Sequence, residues 1–161
     1  MRTFSVQAGE GRLRVRLEVT RTGGQGLACF LHGGTLPHVG GQALASPGPL
    51  LHGARLSRAD LWVATVPGHK DAEAAKTVAR RLAIVTGQPA CVSCGIHVDD
   101  ATPEELERLG HSIDAAVDGL LEELGFDGTG QEPASNKGSD EASAPGEATH
   151  HAAEEAVFDG R

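Results

Sequence analysis

The sequence predicts an α+β fold, a mostly antiparallel β-sheet that opens with an N-terminal meander and carries two helices packed against it. Three observations predict it. Arg12-Leu13-Arg14-Val15-Arg16-Leu17-Glu18-Val19 alternates strictly between charged and apolar residues, the period of a half-buried antiparallel strand. Two later stretches repeat apolar residues every three or four positions, the period of amphipathic helices. The order is also informative: three strand-like runs come first, and strand, helix, strand and helix follow, which layers helices on a sheet.

Residues 4–8 form the first predicted strand, and Gly9-Glu10-Gly11 turns it into the alternating run, whose Leu13, Val15, Leu17 and Val19 share one face. Thr22-Gly23-Gly24 then leads to Leu27-Ala28-Cys29-Phe30-Leu31, which completes the meander. Residues 42–45 add a short strand. Residues 46–58 are rich in Pro, Gly and Ser and read as a connection to the apolar strand Leu61-Trp62-Val63-Ala64-Thr65-Val66. The first helix is expected over residues 71–86, with Ala74 or Ala75, Val78, Leu82 and Val85 facing inward and Glu73, Lys76, Arg80 and Arg81 outward. Gly87 ends it. Residues 90–94 form the next strand. Thr102-Pro103-Glu104-Glu105 is a capping box with Pro at the first helical position, and Leu106, Leu109, Ile113, Val117, Leu120 and Leu124 make the apolar stripe of the second helix.

At 161 residues the chain fits one domain, expected over residues 1–126, followed by an acidic Gly/Ser/Pro-rich tail over residues 127–161. The net charge of −8 is unevenly spread. Eight acids against Lys137 and Arg161 place six of those negative charges beyond Phe126, so the body is nearly balanced and has no basic stripe for nucleic acid. Five aromatic residues and no Tyr leave no ladder for stacking bases. The tail has too few large apolar residues to offset its ordering entropy, so residues 127–150 are expected to be disordered, with residues 152–158 a fraying helix or a short partner-binding motif. No run approaches the roughly 20 apolar residues that span a bilayer. Together with an odd count of three cysteines, which fits a reducing compartment, this predicts a cytoplasmic protein with no membrane partner.

The chemistry-bearing residues gather in three Gly/His segments that each follow a strand-like run. In Pro67-Gly68-His69-Lys70 a strand breaks and restarts as a helix, leaving free N–H groups that attract anions. Lys70 adds a full charge there and His69 a proton-sensitive donor. The companions are Gly33-Gly34-Thr35-Leu36-Pro37-His38-Val39-Gly40 and Gly95-Ile96-His97-Val98-Asp99, and the three together predict one site. Each residue has a plainer reading too: Gly33-Gly34 as a turn, Lys70 as a solvated charge, His38 and His97 as partners of buried backbone groups.

From Gly33 to about Leu124 the sequence resembles the prenylated flavin chaperones, the LpdD-like family of gallate decarboxylase accessory proteins, on those three segments, the first of them extended to Pro67-Gly68-His69-Lys70-Asp71, and the Thr102-Pro103-Glu104-Glu105 that follows. The resemblance implies a homodimer with a fold similar to proteasome assembly chaperones. It implies binding of reduced prenylated FMN, made by a flavin prenyltransferase, and delivery of that cofactor to an apo UbiD-type decarboxylase, with no reaction catalysed. Under this reading the cofactor site comprises Gly33, Gly34, Thr35, Pro37, His38, His69, Lys70 and His97. Lys70 and the helix start face the phosphate, the glycines and Thr35 allow close backbone approach, and the histidines supply further donors.

Two rivals remain open at this level. A small metal-dependent enzyme would use His38, His69 and His97 with Asp99 or Asp100, but no His-x-His or His-x-x-x-His spacing supports it and no metal ligand is assigned. A cofactor-independent accessory component of a decarboxylase is the other. Cys91-Val92-Ser93-Cys94 has redox spacing but falls within a strand, which turns the two thiols to opposite faces, so both read as structural.

Overall fold

The computed structural model describes residues 1–51, 54–55 and 58–126. The expected tail, with its disorder and its short helix, lies outside the described residues. The body contains strands β1 (Arg2–Ala8), β2 (Val15–Arg21), β3 (Leu27–Gly34), β4 (Gly41–Pro47), β5 (Leu50–Leu51), β6 (Ala54–Arg55) and β7 (Ala59–Thr65). Helix α1 (Asp71–Thr86), strand β8 (Ala90–His97) and helix α2 (Pro103–Glu123) follow. Six strands form one sheet in the order β1-β2-β3-β8-β4-β7, and β5 and β6 pair separately. The predicted α+β architecture, mostly antiparallel with two helices, is the architecture found. Among the described residues no helix is long and apolar enough to cross a membrane.

The meander forms as expected, with Val19 opposite Phe4 on one side and Cys29 on the other. Its alternation places Val15, Leu17 and Val19 in the core. The second strand begins later than the pattern implied, because Gly11–Leu13 closes a 3-10 turn first. β8 then inserts between β3 and β4, parallel to β3 and antiparallel to β4. This joins the meander to the β4–β7 hairpin through one central strand. Both helices contribute to a single core cluster with the strands: Val78 and Leu82 from α1, Val117, Leu120 and Leu121 from α2, and Leu31, Val92 and Cys94 from the sheet.

α1 spans the predicted residues and ends at Gly87, whose left-handed φ of 66° closes the helix. Its inner face is Ala72, Ala75, Ala79 and Ala83, small enough to lie close over Gly41, Ala43 and Ala45 of β4. A Cβ at Gly41 would run into the backbone of Ala72. α2 begins with the predicted capping box: Thr102 Oγ1 accepts from Glu105 N, and Glu105 returns a carboxylate to Thr102 N. The expected stripe fails at Leu106, which is 56% exposed. The first turn of α2 is fixed by polar contacts instead, chiefly Arg12 donating to Glu105 at 2.9 Å and to the Asp99 carbonyl at 2.8 Å. The inner face further along takes in Ser112, Ala116 and Leu121, which the stripe omitted.

Cys91 and Cys94 lie on opposite faces of the strand, as expected. Cys94 points into the core, whereas Cys91 faces the other side of the sheet and accepts from Gln42. Burial pushes the Cys29 and Cys94 thiols up to about 12, with a smaller push from Cys91 on the first and from the charge of Asp71 on the second. Both therefore stay protonated and inert near neutral pH.

Two consequences of the capping box are measurable. Thr102→Ala should lower unfolding stability by about 1 kcal/mol in urea titrations. Arg12 and the Thr102 N–H hold the Glu105 carboxyl below its ordinary value. Its contribution is then present above the ordinary carboxylate range and is lost as pH falls through the depressed value, so Glu105→Gln should flatten the acid limb of the stability profile.

Candidate functional site

The site forms where β8 outruns β4. The last rung between them pairs Gly41 with Cys94, and Gly40 N donates to the Cys94 carbonyl at 2.9 Å. Beyond that rung Ile96 N has no partner on β4. Asp71, the first residue of α1, takes it through Oδ1 at 2.8 Å. The close seating of α1 on Gly41 thus fixes where this carboxylate lies, and its side chain is only 9% exposed.

Residues 35–40 cross over the same end of β8. Gly95 is required there, since a Cβ would strike the His38 carbonyl. Thr35 ties the crossing down: its N–H donates to the His97 carbonyl at 2.7 Å, and its single hydroxyl proton is shared between that carbonyl and Asp99 Oδ2, each 3.1 Å away. His97 Nε2 is 3.0 Å from Asp99 Oδ1. The imidazole and the Thr35 hydroxyl together hold the Asp99 carboxyl below its ordinary value.

His38 is held at both ring nitrogens. Nδ1 lies 3.1 Å from the Leu36 carbonyl, which only accepts, so this nitrogen carries the proton. Nε2 is then the acceptor from His69 Nδ1 at 3.0 Å. Asp71 Oδ2 stands 3.4 Å from His38 Nε2 and 3.5 Å from His69 Nδ1. The His38 and His97 rings meet edge to face at 6.1 Å. Above them opens a cavity of about 390 Å³ lined by Leu36, His38, Val39, His69 and His97.

The structure therefore brings together His38, His69 and His97 from three separate segments, with Thr35 and Pro37 in the crossing loop. Lys70 is the exposed N-cap of α1, adjacent to the cluster in sequence and outside the cavity lining. Gly33 and Gly34 are placed differently from a loop reading. They are the last residues of β3, paired with β2 or β8, and the space a Cβ would need is filled by Arg14, Val15 and the His97 backbone. They border a separate polar depression with Arg14 and Arg16. Asp71 was absent from the expected site. Its signal in the sequence was its place in the Pro67-Gly68-His69-Lys70-Asp71 segment that carries the family resemblance, two residues after His69.

A family model described as the prenylated flavin chaperone LpdD-like domain matches residues 9–125. The chain belongs to this family. The matched span contains all of the site residues named above, and LpdD-like membership supports a chaperone role. Among solved structures, the chain is similar to one reported as the crystal structure of a novel chaperone complex for yeast 20S proteasome assembly. That similarity has a TM-score of 0.46 and 15% identity over 77% of this chain and 98% of that chain. No curated protein matches the chain.

The Asp71 tether is testable on stability alone. Asp71→Ala leaves the Ile96 N–H without its acceptor and should cost about 1–3 kcal/mol in urea unfolding. Asp71→Asn keeps an oxygen in place and should recover most of the loss.

Proposed function

We propose that this LpdD-like chain is a non-enzymatic chaperone that binds reduced prenylated FMN in the histidine-lined cavity and passes it to an apo UbiD-type decarboxylase. A flavin prenyltransferase is the source of the cofactor. The observation that carries this reading is the family match over residues 9–125, which spans the whole cavity lining. The donor set fits the ligand's chemistry. A phosphate calls for charge and N–H donors, available from Lys70 and the start of α1; an apolar ring system calls for surfaces such as Leu36 and Val39; and its polar edges call for hydrogen-bonding groups such as the second ring nitrogens of His69 and His97. Thr35 and Pro37 shape the loop, while Gly33 and Gly34 hold its strand in place. Such a ligand is held by contacts that break easily, as a carrier requires.

Anaerobic titration of the pure protein with reduced prenylated FMN tests the reading directly, and absence of binding sinks it. Lys70→Ala should raise Kd about 10- to 100-fold by removing a charge-assisted phosphate contact worth about 1.5–3 kcal/mol. An unchanged Kd removes Lys70 from the site.

The sheet face opposite the helices bears on the oligomeric state. Trp62 is 58% exposed there, and with Leu44, Gln42, Ala64 and Cys91 it lines a shallow apolar depression of about 270 Å³. We infer that a second copy of the chain covers this face in a homodimer, because a solvent-facing Trp on an open sheet fits a protein interface. Trp62→Asp should shift the sedimentation coefficient from dimer to monomer. A wild-type monomer at micromolar concentration removes the interface.

A further inference from the structure

Two cavity-lining histidines meet a carboxylate with a geometry the cofactor reading does not call for. We propose that His38, His69 and Asp71 bind one divalent transition-metal ion of the zinc class, with an open coordination position facing the cavity. The three ligand atoms His38 Nε2, His69 Nδ1 and Asp71 Oδ2 form a triangle with edges of 3.0, 3.4 and 3.5 Å. Atoms bound tetrahedrally to zinc at about 2.0–2.1 Å stand about 3.3 Å from one another, so a small shift converts this triangle into three corners of a zinc site. Among the described residues this is the one group of its kind.

The outer contacts match as well. A metal-bound imidazole ordinarily donates its other N–H to a carbonyl or carboxylate, and a metal-bound carboxylate is itself hydrogen-bonded. His38 Nδ1 donates to the Leu36 carbonyl, which leaves the Nε2 lone pair free for an ion. Asp71 is oriented by the Ile96 N–H at its second oxygen. His69 needs only a change of tautomer: its proton moves from Nδ1, where it bridges to His38, to Nε2, and no net charge is released from the ring.

The floor beneath the triangle is the backbone of Gly40, where a Cβ would run into both the Asp71 carboxylate and His38 Nε2. His38 and His69 also line the cavity, whereas Gly40 and Asp71 are not part of its lining. Three protein ligands and one open side are the arrangement of sites that accept a water or an anionic oxygen in the fourth position. The set that the rival metal reading named, His38, His69 and His97 with Asp99 or Asp100, differs from this one: His97 is engaged with Asp99, and Asp71 supplies the carboxylate.

The test uses metal alone, without flavin, so its outcome is separate from that of the cofactor reading. Tag-free, metal-stripped protein titrated with Co²⁺ should develop the intense visible bands of tetrahedral cobalt at one ion per chain, and Zn²⁺ should bleach them. His69→Ala and Asp71→Asn should each weaken Zn²⁺ binding by more than about 100-fold, since loss of outer-shell contacts alone costs 10–100-fold. A variant with His150 and His151 both changed to Ala should bind as the wild type does. Absence of cobalt bands, or affinity unchanged in His69→Ala and Asp71→Asn but lost with the tail histidines, overturns the proposal.

Discussion

The parallel docking of β8 beside β3 is the constraint on which the rest of the molecule depends. The meander of β1, β2 and β3 and the hairpin of β4 and β7 are each local, and β8 alone joins them into one sheet. It pairs on both edges, and its Ala90, Val92 and Cys94 sit in the core beneath the helices. Such pairing is entirely non-local and is favoured only when the flanking units already exist, because loop closure precedes the contacts that reward it. The same strand carries the site. It runs beyond its ladder with β4, and the backbone left over at Ile96 is what draws Asp71 inward.

Side-chain size then sets the height of every other part. The alanine face of α1 over Gly41, Ala43 and Ala45 brings the helix start down onto the sheet, and Gly95 lets residues 35–40 pass over β8 at backbone distance. Three chain segments thereby converge at one end of the sheet without a long side chain between them. The polar groups they bring are arranged by contacts of their own: His38 by the Leu36 carbonyl, His97 by Asp99, Thr35 by the His97 carbonyl. Each group has a fixed direction before any ligand arrives, which lowers the ordering cost of binding.

Features governed by local periodicity were legible in the sequence. The alternation from Arg12 to Val19 placed the core face of β2, the spacing of Val78 and Leu82 together with Gly87 bounded α1, and the capping box at Thr102 started α2. What periodicity does not encode was read less well. Gly33, Gly34 and Gly95 look like turn residues, yet they lie within strands, because a glycine needed for close crossing is indistinguishable in sequence from one needed for a bend. Leu106 fits a helical stripe, but the helix turn that carries it is seated by Arg12 and Glu105 rather than by apolar contact. At the site, three Gly/His segments implied convergence, and His38, His69 and His97 do line one cavity. Asp71 escaped because its role depends on where β4 stops pairing, a fact of tertiary register.

The two faces of the sheet divide the molecule's chemistry. One face is closed by helices and holds the core, while the other leaves Trp62 and Leu44 in solvent. The histidine cavity lies at neither; it sits at the end of the sheet, where strand ladders finish and backbone groups become available. A ligand bound there would touch the ends of rigid elements and meet polar groups already fixed in place, yet remain reachable without opening the core. That placement separates affinity from stability for the histidines, which can be engaged while the cluster of Leu31, Leu82, Val92 and Leu120 stays intact; Asp71, which also holds the Ile96 N–H, serves both. For the carrier role proposed above, a site assembled at the rim of a closed core would let release proceed without unfolding.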